Sequence, residues 1–285
     1  KIARLYTRKN NIIALTKGFH GRTLGALSVT SSNLTCKTNV QRIPGVFFCH
    51  DFTKTSFDNL LTYHTSPEET ACVILEPVLG EGGIYSLSED FLKYINDICN
   101  QNNILLIADE IQCGAARTGT WWNVDQKDIK PDILTFAKGI ASGFPLAGVA
   151  STSNIMNNIG QNVLGGTYSG NILGSLAASK TIDIIQEENL LQNCNLMGYY
   201  LYQNLVKMKH IKEVRQYGLM IAIEFDFSDD PKLVRNVLND LRDNHILVLL
   251  SGNLGQYIRL LPPLIINKPE IDIFLDKLDM ILNDI

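Results

Sequence analysis

Residues 71–75 read Ala-Cys-Val-Ile-Leu and residues 104–108 read Ile-Leu-Leu-Ile-Ala. Between them, Glu89 to Gln101 carries Phe91, Leu92, Ile95, Ile98 and Cys99 at helical spacing. Apolar runs without alternation suit strands covered on both faces, since a face open to water would show polar residues at every second position. An amphipathic helix between two such strands predicts a parallel βαβ unit and, with it, an α/β fold. Ser86, three residues before Glu89, reads as the start of a capping box for that helix.

Working outward, Asn11–Leu15, Val46–Cys49 and the apolar run Ile133–Ala137 supply further strand candidates. Lys1 to Tyr6 reads as the end of a helix. Gly80-Glu81-Gly82-Gly83, Gly139 to Gly148 and Gly165 to Gly170 mark loops in which the backbone turns tightly or approaches something closely. The pattern changes near Asn189. A helical stretch leads to a strand over Leu219–Phe227, a second helix, strands over Ile246–Leu250 and Tyr257–Leu261, and a last helix with Phe274, Leu275, Leu278, Ile281 and Leu282 on its apolar face. The expected organisation is a large domain over residues 1–188 and a smaller α+β domain over 189–285.

The chain has 285 residues, 45% of them apolar and 19% charged, with a net charge of −4. Those are values of an ordinary globular protein, without the basic stripe that nucleic acid requires. Its apolar runs are far too short to cross a bilayer. The six cysteines, at positions 36, 49, 72, 99, 113 and 194, form no CxxC pair and have no local histidine. They read as reduced, buried thiols, with no metal site and a reducing compartment: the cytoplasm, the mitochondrion remaining open.

In an open parallel sheet, ligands bind beyond the carboxyl ends of the strands. Asp109 and Glu110 stand directly after one apolar run, Glu76 after another, and Lys138 between Ile133–Ala137 and a glycine loop. Taken alone, Asp109 reads equally well as a helix cap. A lysine in such a place is unusual, because burial lowers its pKa and makes the amine nucleophilic.

Taken together, these segments carry a resemblance. Ala108-Asp109-Glu110-Ile111-Gln112, Arg117-Thr118-Gly119, Thr135-Phe136-Ala137-Lys138-Gly139 and Gly143-Phe144-Pro145 resemble the class III aminotransferases, pyridoxal-phosphate enzymes of fold type I. Phe19-His20-Gly21-Arg22-Thr23, Glu76 to Gly83, Gly166 to Asn171 and Ile258 to Leu264 match further family segments in the same order. The resemblance implies that Lys138 holds pyridoxal 5'-phosphate covalently and then moves the proton during transfer. It assigns Asp109 to the ring nitrogen, Gln112 to the phenolic oxygen, and Phe19 and Ile111 to the two ring faces. Thr167 would reach the cofactor phosphate of the neighbouring subunit, which implies a homodimer with shared active sites. Arg22 would bind the carboxylate of the amino donor and Arg259 the α-carboxylate of glutamate or 2-oxoglutarate. Glu81 would pair with Arg259 when no such carboxylate is present. His20, Glu76 and Glu110 read as structural neighbours, Trp121-Trp122 as packing near the dimer interface, and Tyr168 as a residue that could line the site.

The family's phosphate-binding loop, which precedes the helix that Lys1–Tyr6 finishes, has no counterpart in this sequence; a fragment of a longer protein is the expectation. Leu79 stands where the family commonly has glutamine, and Ala115-Ala116 where Phe-Gly or Met-Gly is common. The segments Ala137–Leu146, Gly165–Asn171 and Leu249–Gly252 are most similar to 4-aminobutyrate aminotransferases. That implies transfer of the donor's ω-amino group to 2-oxoglutarate, giving succinate semialdehyde and glutamate. Acetylornithine or ornithine as donor is the alternative, and a non-catalytic homologue the alternative of another class. A nucleotide-binding dehydrogenase is disfavoured, because the glycine loops do not sit in the strand–turn–helix context it needs.

Overall fold

The computed structural model describes the chain except residues 33–36, so Cys36 lies outside the described residues. The strands, in chain order, are β1 Asn11–Leu15, β2 Val46–Cys49, β3 Thr70–Leu75, β4 Val78–Leu79, β5 Tyr85–Ser86, β6 Leu105–Asp109, β7 Ile133–Phe136, β8 Gly148–Ser151, β9 Ile211–Tyr217, β10 Met220–Phe225, β11 Leu249–Ser251 and β12 Tyr257–Leu260. The α-helices are α1 Ile2–Thr7, α2 Leu24–Val29, α3 Lys54–Tyr63, α4 Glu89–Asn102, α5 Ser153–Asn157, α6 Ile172–Glu187, α7 Leu190–Leu205, α8 Pro231–Asp243 and α9 Lys268–Asn283.

The apolar runs 71–75 and 104–108 become β3 and β6, neighbours in a six-stranded sheet of order β2-β1-β3-β6-β7-β8. All its pairings are parallel except β7 with β8. Both faces are covered, as the lack of alternation predicts. Leu15, Val73 and Leu75 pack with Phe57 of α3 and Leu92 and Ile95 of α4. Cys72, Leu105 and Ile133 pack with Ile2 of α1 and Ile155 of α5. Each fully buried Leu, Ile or Phe contributes about 1.5–3 kcal/mol through its removal from water.

The helix between β3 and β6 forms, but its cap differs from the expectation. Ser88, not Ser86, is the N-cap and accepts a hydrogen bond from the Phe91 amide. Ser86 is taken up in β5, paired with Val78; the short hairpin fixes it before the helix begins.

The chain leaves β1 for β2 on one side and returns to β3 on the other. This reversal opens a crevice beyond the carboxyl ends of β1 and β3, where a doubly wound sheet offers space for a ligand. Phe19 follows β1, Glu81 lies in the turn of the β4–β5 hairpin that follows β3, Asp109 ends β6 and Lys138 follows β7.

A second, antiparallel sheet has the order β11-β12-β10-β9. One of its faces buries Val214, Ile221, Ile223, Ile258 and Leu260 against α7, α8 and α9. Strand β9 has no counterpart in the sequence reading, since Lys212, Glu213, Arg215 and Gln216 mask its alternation. Strand β11 begins at Leu249 rather than Ile246. No helix among the described residues is long and apolar enough to cross a membrane.

Candidate functional site

Asp109 ends β6 with its side chain only 5% exposed. One carboxylate oxygen accepts from the Thr135 hydroxyl (2.9 Å) and the Ile111 amide (3.2 Å). The other lies 2.7 Å from Nδ1 of His20. Thr135 reaches it because β6 and β7 place the two residues directly opposite in parallel register. A buried carboxylate is costly unless its lone pairs are filled, and these partners fill them while fixing its direction. Nε2 of the buried His20 side chain has no hydrogen-bond partner.

Glu76 braces the crevice. Its two oxygens accept from the amides of Phe19 (2.7 Å) and Gly80 (3.1 Å), tying the segment after β1 to the loop after β3. Burial pushes its carboxyl up to about 7, against the opposing pull of His20 and those amides. Glu110 faces elsewhere: it accepts from the Val124 amide (2.9 Å) and the Cys113 thiol (3.0 Å), and so supports the loop after β6.

Lys138 opens a 3₁₀ turn with φ of 50°, a left-handed conformation uncommon for a residue with a Cβ. Much of the residue is exposed, yet protein crowds the ammonium enough that desolvation lowers its pKa. Glu76, Glu81 and Asp109 oppose that shift, and Arg259 adds to it. An amine held this way is more often free of its proton, the form that attacks a carbonyl.

Arg259 projects from β12, its side chain 7% exposed. Nη1 donates to Glu81 (2.7 Å) and to the side-chain oxygen of Gln112 (3.1 Å). Glu81 is 34% exposed and has room to turn away, whereas Arg259 does not. Gly80 is what lets Gln112 cross to Arg259, since a Cβ there would stand 2.0 Å from the Gln112 side-chain oxygen. The second sheet thus delivers an arginine to the crevice of the first.

Phe19, Arg22, Glu81 and Ser251 border one cavity of about 330 Å³. The Arg22 guanidinium lies 5.7 Å from the Phe19 ring centroid, within reach of its face. Ile111 stands between two larger spaces. One, of about 380 Å³, is shared with Gln112 and Lys138; the other, of about 750 Å³, is shared with Asp109, His20 and Thr135. Phe19, Arg22, Glu81, Asp109, Ile111, Gln112, Lys138 and Arg259 therefore come together around one crevice. Thr167 does not join them. It lies exposed in the turn spanning residues 166–171, beside Tyr168, which is 84% exposed.

Two contacts to Asp109 have no local sign in the sequence: His20 bonds to it from 89 positions away, and Thr135 bonds to it because the runs 104–108 and 133–137 pair in parallel register.

The donor set fits a flat heteroaromatic aldehyde. It offers an amine whose pKa burial lowers, a fixed buried carboxylate suited to a ring nitrogen, and an apolar side chain between two open spaces. Ligand cavities of these sizes are ordinary.

Comparison with known proteins agrees. The family model for aminotransferase class-III matches residues 1–282. The chain is 36% identical to a 4-aminobutyrate aminotransferase of Escherichia coli over 291 residues, covering 95% of this chain and 68% of that protein. It is 35% identical to a 5-aminovalerate aminotransferase of Pseudomonas aeruginosa, covering 95% of this chain and 68% of the relative. An acetylornithine aminotransferase of Methanosarcina mazei is 37% identical, covering 98% and 68%. The structure is similar to an amine transaminase from an uncultivated Pseudomonas species in its pyridoxal-phosphate-bound form. There the TM-score is 0.88 at 26% identity, covering 99% of this chain and 73% of that one.

Proposed function

Since the chain belongs to the class III aminotransferases, enzymes that use pyridoxal phosphate to pass an amino group from a donor to a 2-oxo acid, we propose that its donor is 4-aminobutyrate and its acceptor 2-oxoglutarate. The products are then succinate semialdehyde and glutamate. When bound, the cofactor supplies an electron sink for the carbanion that forms as the donor loses a proton.

The residues divide the remaining work. Lys138 would anchor the cofactor and afterwards take the proton from the donor's amino-bearing carbon and deliver it to the cofactor, a task suited to an amine with a lowered pKa. Asp109 keeps the ring nitrogen protonated, and His20 and Thr135 hold the carboxylate in place for it. Gln112 gives its side-chain oxygen to Arg259, which leaves its NH₂ free to donate to the phenolic oxygen. Phe19 and Ile111 take the two ring faces. Arg22 binds the donor's carboxylate, and Arg259 binds the α-carboxylate of glutamate or 2-oxoglutarate.

The observation that carries this reading is the 2.7 Å pair between buried Arg259 and partly exposed Glu81, in the same crevice as Arg22. A donor without an α-carboxylate leaves Arg259 with no partner, and an unpaired buried guanidinium costs several kcal/mol. Glu81 fills the gap and turns aside for the acceptor. The similarity of Leu249–Gly252 and Gly165–Asn171 to 4-aminobutyrate enzymes supports the choice of donor.

The same reading makes the enzyme a homodimer. Ile172, Leu173 and Leu176, at the start of α6, are 82%, 67% and 64% exposed, next to exposed Thr167. Such an apolar patch suits a second copy, to whose cofactor phosphate Thr167 would donate. Residues 1–188 then form the cofactor-binding domain and 189–285 the smaller one. The five described cysteines, buried and unpaired, support a reducing compartment, for which we take the cytoplasm.

Competition among 4-aminobutyrate, 5-aminovalerate, N-acetylornithine and ornithine, with 2-oxoglutarate as acceptor, tests the reading. The expected result is the highest kcat/KM for 4-aminobutyrate. Preference for N-acetylornithine or ornithine would overturn the donor and keep the reaction. No turnover with any donor would mean a non-catalytic homologue.

A further inference from the structure

The loop that carries Glu81 is held from beneath by a residue with no role so far. In the second sheet, Arg215 of β9 and Arg259 of β12 both lie opposite Ala222 of β10, so the two arginines share one row and one face. The small Ala222 side chain leaves space between them. Arg259 meets Glu81, and Arg215 meets the backbone two residues further on, its Nε donating to the Gly83 carbonyl at 2.9 Å.

The Arg215 side chain is 5% exposed and fixed on every side. Nη1 bonds to Glu224 (2.8 Å) and to Glu213. The guanidinium carbon sits 4.2 Å from the ring centroid of Tyr85 and 4.4 Å from that of Tyr257, in the corner formed where the two rings meet edge-to-face at 77°, their hydroxyls 3.2 Å apart. Nη2 has no hydrogen-bond partner; the ring faces take its place. Tyr257 comes from the strand of Arg259 and Tyr85 from the loop's own exit strand, so this three-residue contact joins the two halves of the site.

The loop needs such an anchor. Gly83 has φ of 111°, and a Cβ on it would stand 2.8 Å from the Tyr257 ring. Ile84 follows with φ of 56° and is fully buried, a left-handed conformation that a β-branched residue adopts only under constraint. Strain of this kind costs of order 1–3 kcal/mol and persists only when surrounding contacts over-determine it. The contacts are present: the Ile84 amide donates to Leu79, the Gly80 amide to Glu76, and the Gly252 amide to the Glu81 carbonyl. The backbone around Glu81 is thus tied at both ends and in the middle, leaving its side chain as the part free to move.

We propose that Arg215 is a positioning residue for the carboxylate exchange at Arg259, seated against both Tyr85 and Tyr257 and bonded to the Gly83 carbonyl so that Glu81 swings as a side chain on a fixed backbone. This rests on reading Glu81 and Arg259 as that exchange. The anchor matters most when Glu81 must sit on Arg259, during the half-reaction with a donor lacking an α-carboxylate. It matters little when glutamate brings its own carboxylate.

The test is single-turnover kinetics of both half-reactions, followed by cofactor absorbance, for wild type, Glu81→Gln and Arg215→Gln. Amide exchange at Gly83 and Ile84 is measured alongside. For Arg215→Gln, kcat/KM for 4-aminobutyrate should fall about tenfold while that for glutamate changes less than about threefold, with faster exchange at both amides. Glu81→Gln should show the same split. A parallel fall in both half-reactions for Arg215→Gln, with the split retained in Glu81→Gln, would make Arg215 a structural staple only and overturn the proposal. No split in Glu81→Gln would instead overturn the reading of the exchange itself. Should Arg215→Gln not fold, Tyr85→Leu removes one ring of this contact and must show the same split in milder form.

Discussion

Asp109 and Arg259 are both buried charges at one crevice, held in opposite ways. Asp109 ends a parallel strand, and its partners, Thr135, Ile111 and His20, come from backbone and side chains that have nowhere else to go. Arg259 comes from an antiparallel sheet and is neutralised by Glu81, one-third exposed on a glycine loop. The first arrangement suits a task common to every turnover, the second a task that alternates. A site handling two different substrates needs both: a rigid half for the chemistry and an exchangeable half for recognition.

The largest effects are expected on the rigid side. Lys138→Ala should lower kcat by roughly 10³-fold or more, because both anchoring and proton transfer are lost. Bound cofactor should then show no lysine-linked absorbance near the visible edge. Normal turnover by this variant would remove the lysine from the mechanism. Next in size, Asp109→Asn keeps the shape and removes the charge; a loss of about 10²-fold, equal in both half-reactions, is expected from stopped-flow traces.

Arg259→Lys probes the exchangeable side. Lysine keeps the charge but not the two-pronged grip on a carboxylate, so KM for 2-oxoglutarate should rise about tenfold with little change in the 4-aminobutyrate half-reaction. A steady-state KM series with varied acceptor measures it.

The rigid side can also be probed through pH, read as stability rather than as rate. Burial, above all, raises the Glu76 carboxyl from 4.5 to about 7. Its neutral form is the one the fold favours, so the associated stability is full below pH 4.5 and is lost as pH rises through about 7. A glutamine side chain at this position stays neutral throughout. The stability of Glu76→Gln relative to wild type should therefore increase between pH 5 and 8, by on the order of 3 kcal/mol. Denaturant melts at a series of pH values would show it; a difference independent of pH would mean Glu76 is charged at little cost.

The two halves also differed in how readily the sequence disclosed them. Strands β3 and β6 were legible because burial on both faces leaves an unbroken apolar run, and the residue after such a run falls on the ligand edge. Asp109 and Lys138 followed from that position and from the family resemblance. Strand β9 was not legible. One of its faces carries Glu213 and Arg215 toward the glycine loop, so its charges masked the alternation, and Arg215 went unnoticed with it. Long-range partners explain the other gaps. Nothing local links His20 to Asp109, 89 positions apart, or ties Gln112 to Arg259. The cap at Ser88 was displaced by a hairpin of two-residue strands, too short to leave a periodic signal.

The most direct test sets the two halves side by side: kcat/KM of each half-reaction, measured by single turnover, for Asp109→Asn and Arg259→Lys in parallel. Asp109→Asn should lower both half-reactions by the same factor, and Arg259→Lys only the one with glutamate and 2-oxoglutarate. Losses that split for Asp109→Asn, or that run in parallel for Arg259→Lys, would contradict the division between a fixed chemical half and an exchangeable recognition half.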